Sequence, residues 1–222
     1  MKYVKMLGLA AVAAAALMAF VGASSASATV LCETPGTGSP TGTTCPEAWG
    51  VGAGDAIHAV SEGNLVLTTG SEFTQITCKK GTVTGTVVTE GSATETVKAD
   101  SAKAGDLTWE ECSTPNGACT VSTVAAGTLE IHWIEGTHNG TVTGNNTIVT
   151  SECNSIFGKI HCIYKAANED LGTLTGGETA TADFESTPIN IEPTSNLCPK
   201  EPKWDAKYVV TQPDALYVTG HT

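Results

Sequence analysis

Cysteines are the residues whose spacing most directly implies chemistry in this chain. Cys112 and Cys119 flank a Thr-Pro-Asn-Gly tetrad, and Cys153 and Cys162 flank a second reversal. Such pairs can bind a metal, exchange disulfides or form structural bridges. Structural zinc sites and thioredoxin-type redox sites use Cys-x2-Cys pairs, which this chain lacks. Eight cysteines, an even number, favour a framework of structural disulfides in an exported protein.

Adjacency along the chain predicts how these cysteines pair. Thr-Pro-Asn-Gly suits a type I turn, which would place Cys112 opposite Cys119 in a hairpin. Eight cysteines allow 105 pairings, so this assignment depends on adjacency alone. The predicted bridges are Cys112–Cys119, Cys153–Cys162, Cys32–Cys45 and, by elimination, Cys78–Cys198.

Histidines and acids offer a route to catalysis. If His132, His138 and His161 converged in a cleft with an acid, they could serve a secreted hydrolase that is either metal-assisted or carboxylate-based. The acid pairs Glu110-Glu111 and Glu169-Asp170 could act in glycoside hydrolysis. However, the chain has no Gly-x-Ser-x-Gly, His-Glu-x-x-His or EF-hand pattern. We therefore predict no catalytic, cofactor-binding or metal site.

Two weaker binding motifs have alternative explanations. The stretches TGNN (143–146) and NEDLG (168–172) contain oxygen ligands and glycine, as calcium loops do, but lack their ordered spacing. Ordinary polar turns are the favoured interpretation. Trp49 or Trp204, if exposed, would suit a carbohydrate-binding module.

The elements that would position these residues are strands. Leu129, Ile131 and Trp133 alternate with polar residues, and Leu107 and Trp109 do the same, as expected when one face of a sheet is buried. Similar β-branched runs recur about every ten residues, separated by Gly, Asn, Asp and Pro. This spacing predicts an all-β sandwich or barrel. The helix candidates are AIHAVSE (56–62) and SATETVKADSAKAG (92–105).

The amino terminus has the layout of a secretory signal peptide. Lys2 and Lys5 precede an apolar run, and small residues lead to a cleavage site after Ala28. The run is shorter than the roughly 20 residues that span a bilayer. We expect residues 1–28 to be removed, leaving a disulfide-stapled leader rich in Gly, Pro and Thr (29–55) and a β-sandwich domain (56–222). The mature chain would be secreted, without a membrane span.

The net charge of the chain argues against some classes of binding partner. The chain contains no arginine, and its net charge of −12 becomes −14 once the two lysines of the signal peptide are removed. Nucleic-acid binding depends on clustered cations that displace counterions from phosphates. The composition therefore argues against a nucleic-acid partner and is consistent with a soluble acidic protein.

The cysteine hairpins LTWEECSTPNGACTV and SECNSIFGKIHCIY, the alanine-rich signal and the ending CPKEPKWDAKYVVTQPDALYVTG carry a resemblance. Together they resemble a group of uncharacterised secreted, cysteine-containing β-rich proteins of high-GC Gram-positive bacteria (actinobacteria). The resemblance implies an extracellular location and an immunoglobulin-like or related antiparallel β-sandwich stapled by disulfides. It transfers no active residue. We expect a non-catalytic extracellular protein, either a surface or matrix component or a binding module with an unknown extracellular partner; the alternatives are the hydrolase and the carbohydrate-binding module.

Overall fold

The structure is a computed structural model that describes residues 28–36, 44–68, 75–98, 106–155, 158–188, 190–192, 198 and 202–221. Apart from Ala28, the predicted signal peptide lies outside these residues. The described chain is almost entirely β-strand, with one 3-10 turn at Glu47–Trp49. None of its helices is long and apolar enough to cross a bilayer.

Sixteen strands follow one another along the described chain. They are β1 Ala28–Cys32, β2 Ala56–Ser61, β3 Leu65–Thr68, β4 Ile76–Cys78, β5 Lys80–Thr89, β6 Glu95–Lys98, β7 Leu107–Glu110, β8 Ser113–Thr114, β9 Gly117–Ala125, β10 Thr128–Trp133, β11 Gly140–Ser155, β12 Gly158–Thr175, β13 Thr181–Pro188, β14 Asn190–Glu192, β15 Lys203–Gln212 and β16 Tyr217–His221. Every strand pairing is antiparallel.

The large sheet closes on itself because β12 pairs with β11 and β15 pairs with β3 as well as with β2. One ring runs through β2, β5, β6, β10, β11, β12, β13 and β15. A second ring runs through β3, β4, β8, β9 and the same β11, β12, β13 and β15. We call the region of the first ring the packed half and that of the second the cavity half. The structure confirms the all-β, antiparallel, sandwich-like class but does not confirm the immunoglobulin-like variant.

Two asparagines mark the boundary between the halves. Asn146 in β11 and Asn168 in β12 have φ angles of 57° and 58°, a left-handed conformation that asparagine tolerates better than most residues. Both lie beside shifts in the β11–β12 register, so each strand carries a bulge at this level. Before its bulge β11 pairs with β10, and after it with β9. The bulges therefore lie where the long hairpin changes partners.

A two-stranded sheet of β1 and β16 closes the end of the packed half. The Thr29 N–H donates to the Ser92 carbonyl, and the Val218 N–H donates to the His138 carbonyl. These carbonyls belong to the β5–β6 and β10–β11 turns, at the same end of the ring. Leu31 and Val218 are completely buried there. The first and last described strands thus cover one end of the packed half.

Both helix candidates are strands where they are described. Residues 56–61 form β2, which lies between β15 and β5, and residues 95–98 form β6; residues 99–105 lie outside the described part. In β2 the side chains of Ile57 and Ala59 are buried, the alternation of a strand. Pairing on both edges outweighs the weak helix propensity of short segments.

All eight cysteines form disulfides, but three of the four predicted pairings are wrong. Only the bridge between Cys32 and Cys45 matches the adjacency prediction. The other bridges are Cys78–Cys112, Cys119–Cys153 and Cys162–Cys198.

Cys112 and Cys119 are backbone neighbours as predicted, since the Cys119 N–H donates to the Cys112 carbonyl. A hydrogen-bonded antiparallel pair holds its Cα atoms about 5.5 Å apart. Each cysteine has a closer partner on its other side: the Cα atoms are 3.9 Å apart for Cys78–Cys112 and 4.1 Å for Cys119–Cys153. The bridges therefore cross to neighbouring strands instead of closing the hairpin.

Cys153 and Cys162 fail to pair because of the hairpin register. Ser155 opposes Gly158, which places Ile160 opposite Cys153 and Ser151 opposite Cys162. The two cysteines are thus offset along the hairpin. Across the other edge of β11, Cys153 lies directly opposite Cys119, its true partner.

Candidate functional site

An apolar cavity of about 120 Å³ lies mainly within the cavity half. Nineteen residues from ten strands and the β9–β10 turn line it, and no charged side chain is among these described residues. The lining residues are Leu65, Leu67, Ile76, Cys78, Val83, Leu107, Trp109, Val121, Ala126, Gly127, Leu129, Thr147, Val149, Ser151, Tyr164, Ala166, Leu171, Phe184 and Trp204.

Alternation along each strand directs these side chains inward. In β9 the residues at every second position, including Val121, are partly buried, whereas the intervening ones, including Val124, are exposed. In β7, Leu107 and Trp109 point to the same face and both line the cavity. Partial rather than complete burial of inward residues such as Val121 indicates that the facing strands do not fill the space between them.

Gly127 shapes the wall where β9 turns into β10. Its φ angle is +72°, a conformation that side chains rarely adopt. A Cβ atom at this position would lie 2.7 Å from the Thr147 Oγ1 atom and closer still to the Asn145 carbonyl oxygen. Glycine therefore allows the turn to press against β11 at the edge of the cavity.

The two tryptophans considered for carbohydrate binding differ in position. Trp204 is partly buried, lines the cavity, and its ring centroid lies 5.2 Å from that of Phe184. It thus belongs to the apolar interior. Trp49 is 49% exposed in the 3-10 turn, outside the cavity lining. The structure does not bring the two together on one surface.

Three of the side chains that line the cavity carry a hydroxyl group. The Thr147 hydroxyl donates to the Ala126 carbonyl at 2.9 Å, so its hydrogen is already used. Ser151 and Tyr164, on adjacent strands, are only 2% and 4% exposed, and their hydroxyls are hydrogen-bonded to each other. Burial raises the pKa of Tyr164 to about 12, and the bond to Ser151 opposes that rise. The wall can therefore offer a ligand neutral hydrogen-bonding groups.

The histidines of the hydrolase hypothesis do not converge. His132 in β10 opposes Thr141 of β11, and His161 in β12 opposes Glu152 of the same strand. At roughly 3.3 Å per residue, eleven residues of β11 place them about 35 Å apart. His138 contacts the Tyr217 ring with a centroid distance of 5.5 Å. Within the described residues, no group of three or more His, Cys, Asp or Glu could hold a metal.

The acidic motifs have structural explanations. Glu111 forms ion pairs with Lys79 at 3.2 Å and Lys80 at 2.8 Å. TGNN and NEDLG are neither calcium loops nor turns but contain the two bulges of the β11–β12 hairpin. Neither segment therefore provides a closed loop for a cation.

Sequence reasoning placed Leu107, Trp109 and Leu129 on inward faces but missed the cavity between them. The sequence of β9, GACTVSTVA, has no regular alternation of side-chain size that could have indicated a space.

No known protein family, curated protein or solved structure matches this chain.

Proposed function

We propose that this protein is a secreted, non-catalytic binding module that holds a small apolar molecule in the cavity. The observation that carries this proposal is the cavity itself, which is lined by nineteen residues without a charge among them. Small-molecule sites are concave, mostly apolar and contain few polar groups. An engineered apolar cavity of about 150 Å³ in another protein stays dry and binds benzene. A natural cavity of this kind is suited to a ligand of similar size.

Four disulfides support the extracellular part of the proposal. Bridges persist in oxidising compartments and are rare in the cytosol. The acidic composition and the signal-like amino terminus agree with export. We favour a binding module over a surface or matrix component because a purely structural protein does not need an apolar cavity.

Toluene binding tests the proposal directly. Disulfide-bonded protein is unfolded by urea with and without toluene, and ligand-observed NMR measures the affinity. A ligand that binds only the folded state at 100 times its Kd raises the free energy of unfolding by about 2.7 kcal/mol. Absence of any stabilisation or NMR contact would refute the proposal.

A matched pair of variants on β9 locates the bound toluene. Val121 points into the cavity, whereas Val124 is 58% exposed on the opposite face of the same strand. Val121→Phe places a ring in the cavity and should abolish the stabilisation by toluene. Val124→Phe adds the same ring outside and should leave the stabilisation intact. If both variants bind toluene equally, the ligand does not occupy the cavity.

A further inference from the structure

The hydroxyl groups of Ser151 and Tyr164 form a pair in the cavity wall that can hydrogen-bond to a ligand. Both residues are almost fully buried, and their side chains are hydrogen-bonded to each other. Ser151 lies in β11 and Tyr164 in β12, so two directly paired strands hold the group in place. The pair is thus a fixed feature of the wall.

One of the two hydroxyl hydrogens of this pair remains free to donate. Each hydroxyl has one hydrogen and two lone pairs. A single bond between them uses one hydrogen, whichever residue donates it, so with respect to the described residues the pair retains one hydrogen and several lone pairs. The third hydroxyl, on Thr147, donates its hydrogen to the Ala126 carbonyl. Ser151 and Tyr164 are therefore the hydroxyls that can donate to a ligand oxygen.

Charge and volume restrict the ligand further. No lining side chain could neutralise a carboxylate or an amine, and an unpaired charge in an apolar site is strongly disfavoured. A cavity of about 120 Å³ is close in size to one that holds a single benzene ring. Trp109, Phe184 and Trp204 provide aromatic surface for such a ring.

We propose that the ligand is an uncharged one-ring molecule carrying a single oxygen, of the phenol or cyclic-alcohol class, whose oxygen bonds to the Ser151–Tyr164 pair. This rests on the proposed binding function and adds the chemical class of the ligand. The ring occupies the apolar part of the cavity, and its oxygen accepts the remaining hydroxyl hydrogen.

Three ligands of one shape test this assignment: toluene, p-cresol and p-toluate. They present a methyl-substituted ring with no oxygen, a hydroxyl or a carboxylate. Wild-type protein should bind p-cresol about tenfold more tightly than toluene, a typical gain for one additional hydrogen bond. It should not bind p-toluate measurably at neutral pH. Isothermal titration and ligand-observed NMR give the affinities.

The double variant Ser151→Ala/Tyr164→Phe removes both hydroxyls together, so no buried partner is left unsatisfied. It should still bind toluene but lose the preference for p-cresol. Thr150→Val is the matched control: its hydroxyl contacts the Ser122 carbonyl at 3.5 Å, away from the cavity lining, so the preference should persist.

The outcomes separate the two proposals. If toluene and p-cresol both bind and their affinity ratio is the same in the double variant, the assignment of the oxygen is wrong while the binding function stands. Equal binding of p-toluate and p-cresol would refute the uncharged class. If none of the three binds wild-type protein, the binding function itself fails.

Discussion

The packed half and the cavity half share the same long strands but are held together in different ways. In the packed half, Leu31, Val87, Leu216 and Val218 are at most 2% exposed. In the cavity half, Leu65 is also only 2% exposed, but the inward residues of β9, such as Val121, are only partly buried, and all three of the long-separation disulfides lie in this half. Dispersion contacts stabilise the first region, whereas in the second region covalent links add to less complete packing. A sheet can thus enclose empty space when cross-links hold its strands.

The position of the bridges supports this contrast. β4 and β8 are joined by a single residue pair, Thr77 with Ser113, the shortest pairing in the second ring. The bridge between Cys78 and Cys112 spans that weak junction. Without it, the ring around the cavity would depend on one pair of residues to remain closed.

The largest expected effect comes from removing a bridge of the cavity half. Replacing Cys119 and Cys153 by alanine opens a loop with a sequence separation of 34 and should lower the free energy of unfolding by about 4 kcal/mol. Replacing Cys32 and Cys45, with a separation of 13, should lower it by about 3 kcal/mol. Denaturation by guanidinium measures both. Hydrogen exchange should accelerate in β9 and β11 but not in β16 for the first variant; equal acceleration everywhere would contradict the division into halves.

The next effect concerns Glu95, a fully buried carboxyl in the packed half. Burial raises its pKa to about 7; the Gly91 N–H, 2.7 Å away, opposes the rise, and the charge of Glu90 adds to it. Its Oε2 atom has no hydrogen-bond partner among the described residues. Because the folded state holds this proton more tightly than the unfolded chain does, stability should fall as pH rises from about 4.5 to about 7 and then level off.

Glu95→Gln should abolish that fall. At pH 8 the variant should be more stable than wild type by up to about 3 kcal/mol, and at pH 4 the two should be similar. Urea denaturation at several pH values gives the comparison. Glu90→Gln, which removes only the neighbouring charge, should shift the transition to lower pH. A flat stability difference between pH 4 and 8 for Glu95→Gln would show that the carboxyl is not held protonated.

A matched enlargement of two alanines compares the packing of the halves. Ala180 is 1% exposed in the packed core, and Ala166 is 8% exposed but lines the cavity. Ala180→Leu should overpack its site and lower stability by about 2 kcal/mol. Ala166→Leu should fill empty space and raise stability by about 1 kcal/mol. Thermal and urea unfolding measure both; destabilisation of equal size would mean that the cavity half is as tightly packed as the other.

The smallest effect distinguishes two buried tyrosines. The Tyr208 hydroxyl in the packed half has no hydrogen-bond partner among the described residues, and burial raises the pKa of this tyrosine. Tyr208→Phe should therefore raise stability by about 1 kcal/mol. Tyr164→Phe should lower it by a similar amount because Ser151 loses its partner. Equal signs in urea denaturation would contradict this distinction.

Alternation of residue types was sufficient to predict the strands and the inward faces of Leu107, Trp109 and Leu129. Alternation could not show whether the side chains of these inward faces pack against each other or leave a cavity between them. That outcome depends on how far apart the facing strands lie, which is set by ring closure and by the bulges at Asn146 and Asn168. Both bulges fall within segments that resemble ordinary polar turns.

Most of the disulfide pairing could not be predicted from the sequence for a related reason. A strand inside a sheet has two neighbours, and only the hairpin neighbour is adjacent in sequence. Cys119 illustrates this: its backbone bonds to Cys112, while its sulfur bonds to Cys153 in a strand more than thirty residues away. Cys32 and Cys45 were predicted correctly because that bridge closes a local loop.

The pairing of β1 with β16 has a practical consequence for handling the protein. Ala28 lies opposite His221, and no residue of either strand lines the cavity. A dye, bead or sensor surface coupled just outside either strand would lie at the end of the molecule that β1 and β16 form. Coupling next to either strand therefore attaches the protein through residues that do not line the cavity.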